Sequence, residues 1–294
     1  MKTITTALCC FIALLGFAQD DTQKADSLEG WKTSGNFQLL FNQSSFNNKW
    51  LGGGTSNLSG NLGLTYDFNY KKGKINWDNK IIAEYGLNKI DDEEFTKKTS
   101  DRLEINSLVG QQIKESYWYW SFFTNFRTQF TRGYEFFDDP VTSEPRRNEI
   151  TNFMSPGYWQ FGPGLLWKKS DNLKVNIAPT TSRFVFVDKK FTRDVDNYFG
   201  VDQGDSFNYE FGAAIGAYAK FKLMENIVLE NILNLYSDYL DDPQNVDIDY
   251  TLNVTMTINK YLSTNLIFQA IYDDDAIGAI QTRQVFGLAF NYVF

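Results

Sequence analysis

The sequence contains no histidine, and its two cysteines, Cys9 and Cys10, lie within ten residues of the N-terminus. Histidine serves as the base in Ser-His and Cys-His catalysis and is a common metal ligand, so its absence excludes these chemistries. Without further cysteine, the rest of the chain can form neither a disulfide framework nor a thiolate metal site. We therefore expect a protein that is not an enzyme and that binds no cofactor.

A basic excess is also missing, because 28 Lys and Arg residues stand against 36 Asp and Glu residues. This balance argues against a nucleic-acid partner. Long hydrophobic runs are missing after the first residues, which read MKTITTALCCFIALLGFAQ. The pattern predicts a signal peptide over residues 1–18, cleaved before Gln19, because the apolar run is shorter than the ~20 residues of a membrane-spanning helix.

Alternation of apolar and polar residues fills most of the remaining chain. In the final segment RQVFGLAFNYVF, Phe286, Leu288 and Phe290 share one face with the last two aromatic residues, whereas small or polar residues fill the other. A period of two is typical of β-strands. Twelve such strands are predicted near 31–45, 57–71, 75–89, 101–113, 117–130, 157–168, 173–187, 207–222, 227–239, 247–259, 262–272 and 282–294.

The connections between these strands alternate between short and long. Segments such as KKGK at 71–74 and KES at 114–116 are followed by much longer ones, including 131–156 and 188–206. This layout is typical of transmembrane barrels, and an even strand count leaves both termini on the same side. We predict an all-β fold: a single antiparallel up-and-down transmembrane β-barrel of about twelve strands, with short periplasmic turns and long external loops.

The predicted domains are the signal peptide 1–18, a polar segment 19–30 and an outer-membrane barrel 31–294. Aromatic residues flank the short turns, as in the girdles of such barrels. The alternating terminal residues Phe290, Tyr292 and Phe294 resemble the C-terminal signal that the barrel-assembly machinery reads. A soluble β-sandwich is the alternative, although it gives no reason for the loops to alternate in length.

Charged residues occur on the faces predicted to point inward. The candidate lumen-lining residues are Asp67, Asp78, Lys80, Glu84, Arg102, Glu104, Arg127, Glu210, Lys220, Glu230, Asp249 and Arg283. Such charges either line a water-filled passage or pair with one another and fill a closed lumen. Twelve strands lie between the filled eight-stranded barrel and the open porin, so the strand number does not decide.

Acidic clusters occupy the long connections, at 91–94, 138–139, 241–242 and 273–275. Carboxylates at this density are ligands that Ca²⁺ accepts, but none of the clusters has the spacing of an EF-hand loop. A solvated, negatively charged rim is the alternative, so the sequence leaves a metal site undetermined.

Several blocks resemble the DUF3078 family of Bacteroidota proteins. They include WKTSGNFQLLFNQSSFNNKWLGGGTSNLSGN, WDNKIIAEYGL, KKTSDRLEINSLVG and SPGYWQFGPGLLWK, together with the segment from DDPQNV to IYDDD. The resemblance implies an outer-membrane barrel of a Gram-negative bacterium and no particular activity. The expected partners are outer-membrane lipid and lipopolysaccharide, the barrel-assembly machinery and an envelope protein.

Two functions remain open at the level of sequence. The first is a porin-like channel for small solutes through the lumen. The second is a closed structural or accessory barrel of a larger outer-membrane complex. Conductance would separate them, because only the first requires a continuous aqueous path.

Overall fold

The computed structural model describes residues 29–47, 49, 54–195 and 197–294. The predicted signal peptide 1–18, and residues 19–28 of the predicted polar segment, lie outside the described residues. Within the described residues, no helix is long and apolar enough to cross a membrane.

Fourteen strands are present in the described residues. They are β1 (Gly30–Ser44), β2 (Asn57–Lys72), β3 (Ile75–Ile90), β4 (Lys97–Gln112), β5 (Trp118–Thr128), β6 (Gly133–Asp138), β7 (Pro145–Thr151), β8 (Gly157–Ser170), β9 (Leu173–Phe186), β10 (Phe207–Met224), β11 (Ile227–Asp238), β12 (Asp247–Thr257), β13 (Leu262–Tyr272) and β14 (Gln281–Val293).

Twelve of these strands form one closed antiparallel barrel in the order β1-β14-β13-β12-β11-β10-β9-β8-β5-β4-β3-β2. Each strand therefore pairs with its neighbours along the chain, except that β5 pairs with β8 across the β6–β7 insertion and β1 pairs with β14 where the barrel closes. The predicted all-β barrel of twelve strands is confirmed, and its short and long connections alternate as expected. Closure leaves no sheet edge unpaired, since every barrel strand has two neighbours.

The barrel closes between β1 and β14, whose register pairs Asn36 with Val293 and Leu39 with Phe290. The C-terminal residue extends this seam, because the backbone N–H of Phe294 donates to the Gly35 carbonyl at 2.9 Å and the Gly35 N–H donates to the Phe294 carbonyl at 2.7 Å. A Cβ at position 35 would overlap the Phe294 ring. Gly35 therefore lets the Phe294 ring lie over the seam, and a larger residue there would push the ring aside.

The outer surface of the barrel is largely apolar and exposed. Trp120 is 63 % exposed, Phe286 53 % and Leu288 48 %. Each lies on a strand whose next residue faces inward, since side chains alternate across a sheet. On β14, this alternation leaves Ala289 fully buried between exposed neighbours. The barrel thus presents its large apolar side chains outward and its polar ones inward.

Two local features are absent from the predicted strand set. The long connection 131–156 contains a separate hairpin of β6 and β7, and a one-turn helix, Lys189–Thr192, lies between β9 and β10. Both hairpin strands are short, six and seven residues, so their alternation was too brief to be recognised in the sequence. In β9, a register shift between Gly212 and Ala214 of the paired strand adds one residue near 179–180. The bulge interrupts the period-two alternation within the predicted strand 173–187.

Candidate functional site

Ion pairs cross the barrel interior near the short-turn end. The carboxylate of Asp78 on β3 accepts from Lys168 Nζ on β8 at 3.0 Å and from Lys174 Nζ on β9 at 2.7 Å. Strands β4 and β5 lie between β3 and β8 in the barrel order, so these contacts run through the lumen and not along the wall. Lys168 is only 8 % exposed, which leaves little water around its charge.

A second layer of contacts lies next to the Asp78 ion pairs, on the side of the long-loop end. Lys80 Nζ lies 3.5 Å from Asp67 and 5.8 Å from the centre of the Tyr218 ring. The Tyr218 hydroxyl donates to Glu230 at 2.7 Å, and the Asn253 amide donates to the same carboxylate at 3.0 Å. Because β3 and β10 are separated by four strands along the shorter way round, this layer joins nearly opposite walls.

Glu104 is the centre of a third polar cluster. It is 5 % exposed and accepts from Arg102, from the Asn106 amide at 2.7 Å and from the Asn125 amide at 3.1 Å. A buried carboxylate is costly unless hydrogen bonds and an opposite charge compensate it. All three compensating groups come from β4 and β5, so this cluster fills the lumen from one wall.

Closer to the long-loop end, Arg127 on β5 reaches Asp249 on β12, with Nη1 and Oδ2 2.6 Å apart. Four strands separate β5 from β12 along the shorter way round. The Arg127 guanidinium also lies 5.2 Å from the centre of the Tyr158 ring, and Asp249 accepts a second bond from Gln269 at 3.0 Å. This pair is the most direct bridge between opposite walls.

Arg183 forms the uppermost bridge. Its guanidinium contacts Glu210 at 2.5 Å and Asp247 at 2.5 Å, and it stacks 4.1 Å from the centre of the Tyr236 ring. Arg283 approaches Glu84 at 3.5 Å on another part of the wall. The lumen of the described barrel is thus crossed by polar side chains at several heights.

The structure brings most of the sequence-predicted lumen residues into these layers. Lys220 is the exception, because it is exposed near the short-turn end of β10 and no ion pair is found for it in the described residues. Sequence reasoning missed Arg183, because the β9 bulge changes which residues point inward. It also left Lys168 out of the lumen residues, although Lys168 ends the predicted strand 157–168 and points into the lumen from β8.

At the long-loop end, the lumen opens into an acidic cavity of about 230 Å³. Six aspartates line it: Asp238, Asp241, Asp242, Asp247, Asp274 and Asp275. Arg183 is the only cationic residue among its lining residues in the described chain. Burial, together with the neighbouring Asp273 and Asp274, raises the pKa of Asp275 to about 6. The cavity therefore concentrates negative charge in a partly desolvated space.

The loops around this mouth are fixed to one another. Arg147 of the β6–β7 hairpin lies 4.3 Å from the Tyr134 ring centre and 5.0 Å from that of Phe95 in the β3–β4 loop. Lys190 Nζ contacts Glu149 at 2.6 Å, which joins the β9–β10 loop to the same hairpin. We call this assembly of the hairpin and the two adjoining loops the external cap.

Comparison with protein families gives one match. The model of a family described as "Protein of unknown function (DUF3078)" matches residues 41–134, from the end of β1 to the start of β6. The resemblance predicted from the sequence is confirmed over this part of the chain. No curated protein matches the chain.

Several solved structures are similar to the barrel. One is the translocator domain of autotransporter NalP from Neisseria meningitidis, at 9 % identity and TM-score 0.40, covering 99 % of this chain and 98 % of that chain. Another is the COG4313 outer membrane channel from Pseudomonas putida F1, at 9 % identity and TM-score 0.39, covering 90 % and 95 %. A third is outer membrane phospholipase A from Escherichia coli, at 13 % identity and TM-score 0.38, covering 90 % and 98 %. At these values the likeness assigns no activity to this chain.

Proposed function

We propose that this protein is an outer-membrane β-barrel with an occluded lumen, which acts as a structural or accessory barrel through its external cap. The location is supported by the outward band of exposed apolar side chains, including Trp120, Phe122 and Phe290 at 63 %, 46 % and 45 % exposure. An apolar band around a whole barrel would be an aggregation hazard in water. In a bilayer the same band is the surface that contacts lipid.

The observation that carries the proposal is the Arg127–Asp249 pair across the lumen, at 2.6 Å. With the Lys80–Tyr218 layer and the Asp78 pairs below it, a solute would meet three polar barriers in succession. Two of these barriers are ion pairs, and opening either would leave a charge unpaired in a poorly hydrated space, which is costly. The third is a contact between the Lys80 ammonium and the Tyr218 ring. Side-chain bridges therefore favour a closed resting state.

The external cap supports an accessory role. Loops that serve only as connections rarely build a hairpin of their own, and long loops in compact proteins are usually functional. In the cap, the tip residue Val141 is 89 % exposed and Phe153 is 56 % exposed. Exposed apolar side chains of this kind support contact between the cap and an envelope protein.

Single-channel conductance in planar bilayers tests the proposal. The wild-type barrel should give no stable open steps. A variant in which serine replaces the residues of all three layers should give measurable conductance; it changes Arg127, Asp249, Lys80, Asp67, Tyr218, Asp78, Lys168 and Lys174. The charge pairs are removed together because a single substitution would leave a buried charge without its partner.

The matched control carries Arg146→Ser and Asp139→Ser, which removes an ion pair of 2.7 Å in the external hairpin. It should remain silent, since this pair does not cross the lumen. Stable open steps from the wild-type barrel would contradict an occluded lumen and would favour the porin-like passage.

The porin-like passage for small solutes remains the second candidate, and the acidic cavity at the mouth favours it. A ring of like charges at an entrance selects counter-ions. If the bridges rearrange, the passage should therefore prefer cations, and its reversal potential in a salt gradient would report that preference.

A further inference from the structure

The acidic cavity contains more negative charge than its protein partners neutralise. Six aspartates line it, and the single cation, Arg183, is already engaged by Glu210 and Asp247. Like charges at this density repel strongly where water is partly excluded. A bound cation would relieve this repulsion, but an acidic cluster by itself does not establish a site.

The geometry of three carboxylates is more specific. Asp247 begins β12, whereas Asp273 and Asp274 lie in the connection that follows β13. One oxygen from each residue can be chosen so that all three lie within 4.8 Å of one another. Ca²⁺ accepts several carboxylate oxygens in a flexible geometry, whereas Mg²⁺ requires a near-ideal octahedron and keeps several of its waters. Three carboxylates brought together from two separate segments therefore suit Ca²⁺ better than Mg²⁺.

An independent observation at the same cavity comes from Tyr236. This residue is 5 % exposed and lines the cavity, and its hydroxyl is buried without a hydrogen-bond partner in the described chain. A buried hydroxyl without a partner costs free energy, so native structures normally satisfy it with protein, water or a ligand. A hydrated cation held by the carboxylates would supply that partner through its bound water.

We propose that Asp247, Asp273 and Asp274 bind a hard divalent cation, with Ca²⁺ the best fit, in the cavity beside Tyr236. The cation would connect the start of β12 to the β13–β14 loop. The Asn245 amide already donates to Asp274 at 2.6 Å, which holds that carboxylate in place from the β11–β12 loop. The site would therefore stiffen the external mouth and supply the positive charge that the cavity lacks.

Calorimetric titration of the purified full barrel tests the proposal. The barrel is stripped with EDTA, exchanged into metal-free buffer and titrated with CaCl₂. We expect one saturable Ca²⁺ site with a dissociation constant of about 0.1–1 mM, the range of extracellular calcium modules. Asp273→Asn with Asp274→Asn should weaken binding by about tenfold or more, since ligand charge sets the affinity.

The control carries Asp91→Asn and Asp92→Asn, which remove the same number of negative charges from the β3–β4 loop. This control should bind Ca²⁺ as tightly as the wild type does. Tyr236→Phe keeps the ring beside Arg183 and removes only the hydroxyl, so it should bind more weakly than the wild type. It also serves as the test if the double variant fails to show heat-modifiable migration. The proposal is overturned if the folded wild type shows no saturable site, or if the control loses as much affinity as the double variant. These outcomes do not depend on conductance.

Discussion

At the scale of single residues, adjacent positions of one strand have opposite environments. On β12, Leu252 pairs with Asn231 of β11 and Phe268 of β13 on the outer face. Its neighbour Asn253 donates to Glu230 in the lumen at 3.0 Å. One step along the chain thus changes the surroundings from the apolar outer band to a polar interior.

This difference gives a prediction for charge substitutions on β12. Leu252→Arg should lower the free energy of unfolding by about 2–4 kcal/mol, because an arginine near the bilayer midplane is poorly solvated. Asn253→Arg should cost much less, since the new guanidinium would lie beside the Glu230 carboxylate. Equilibrium unfolding from lipid vesicles measures both. Equal losses of unfolding free energy would mean that the outer face of β12 packs against protein, which would favour the soluble β-sandwich.

At the scale of elements, the seam between β1 and β14 depends on the last residue. Phe294 makes two backbone hydrogen bonds with Gly35, and its ring stacks with Tyr66 and Tyr292 at centroid distances of 6.3 and 6.0 Å. The sequence predicted an assembly signal in Phe290, Tyr292 and Phe294, and that role stays a prediction. The seam contacts give Phe294 a second role, in the folded barrel itself.

Deleting Phe294 should therefore have two effects. Loss of the two seam hydrogen bonds should lower stability by about 1–3 kcal/mol in vesicles. Loss of the predicted signal should also reduce the folded, heat-modifiable fraction in the outer membrane of cells. Phe294→Ala keeps the backbone bonds, so it should reduce the cellular yield more than the stability in vesicles.

Val293→Ala is the matched control for this seam, because Val293 lies next to Phe294 but points to the other face and is 69 % exposed. It should leave both readouts close to those of the wild type. A normal surface yield from the Phe294 deletion would contradict the assembly signal, and an unchanged unfolding free energy would contradict the seam.

At the scale of the whole molecule, the two ends of the barrel differ in structure and charge. The end with the start of β1 and the end of β14 has tight turns such as those between β2 and β3 and between β10 and β11, whereas the opposite end contains the external cap and the acidic cavity. This asymmetry is typical of barrels whose long loops face outward.

Cysteine labelling on intact cells tests that orientation. Val141→Cys at the tip of the β6–β7 hairpin should react with a membrane-impermeant thiol reagent, since this position is 89 % exposed. Glu225→Cys in the turn between β10 and β11 should react only after the outer membrane is permeabilised. The mature chain is expected to contain no native cysteine, so each variant offers one thiol. The opposite labelling pattern would reverse the orientation.

The sequence by itself determined the barrel, because the period of two within each strand and the alternation of loop lengths are local patterns that can be read directly along the chain. The limits of the strands followed within a few residues; β12, for example, was predicted over 247–259 and spans Asp247–Thr257. The inward position of residues such as Asp67 and Glu230 followed from the same alternation.

Only the tertiary structure decided which inward residues meet. Arg127 and Asp249 are 122 positions apart in sequence, and they lie 2.6 Å apart because closure brings β5 opposite β12. The β9 bulge that directs Arg183 inward depends on pairing with β8 and β10, so no local pattern reveals it. The cavity likewise joins Asp247 to Asp273 and Asp274 through loops whose separate sequences show only acidic clusters. Strand alternation fixes the face of each side chain, whereas its partner across the lumen depends on strand order and register around the closed sheet.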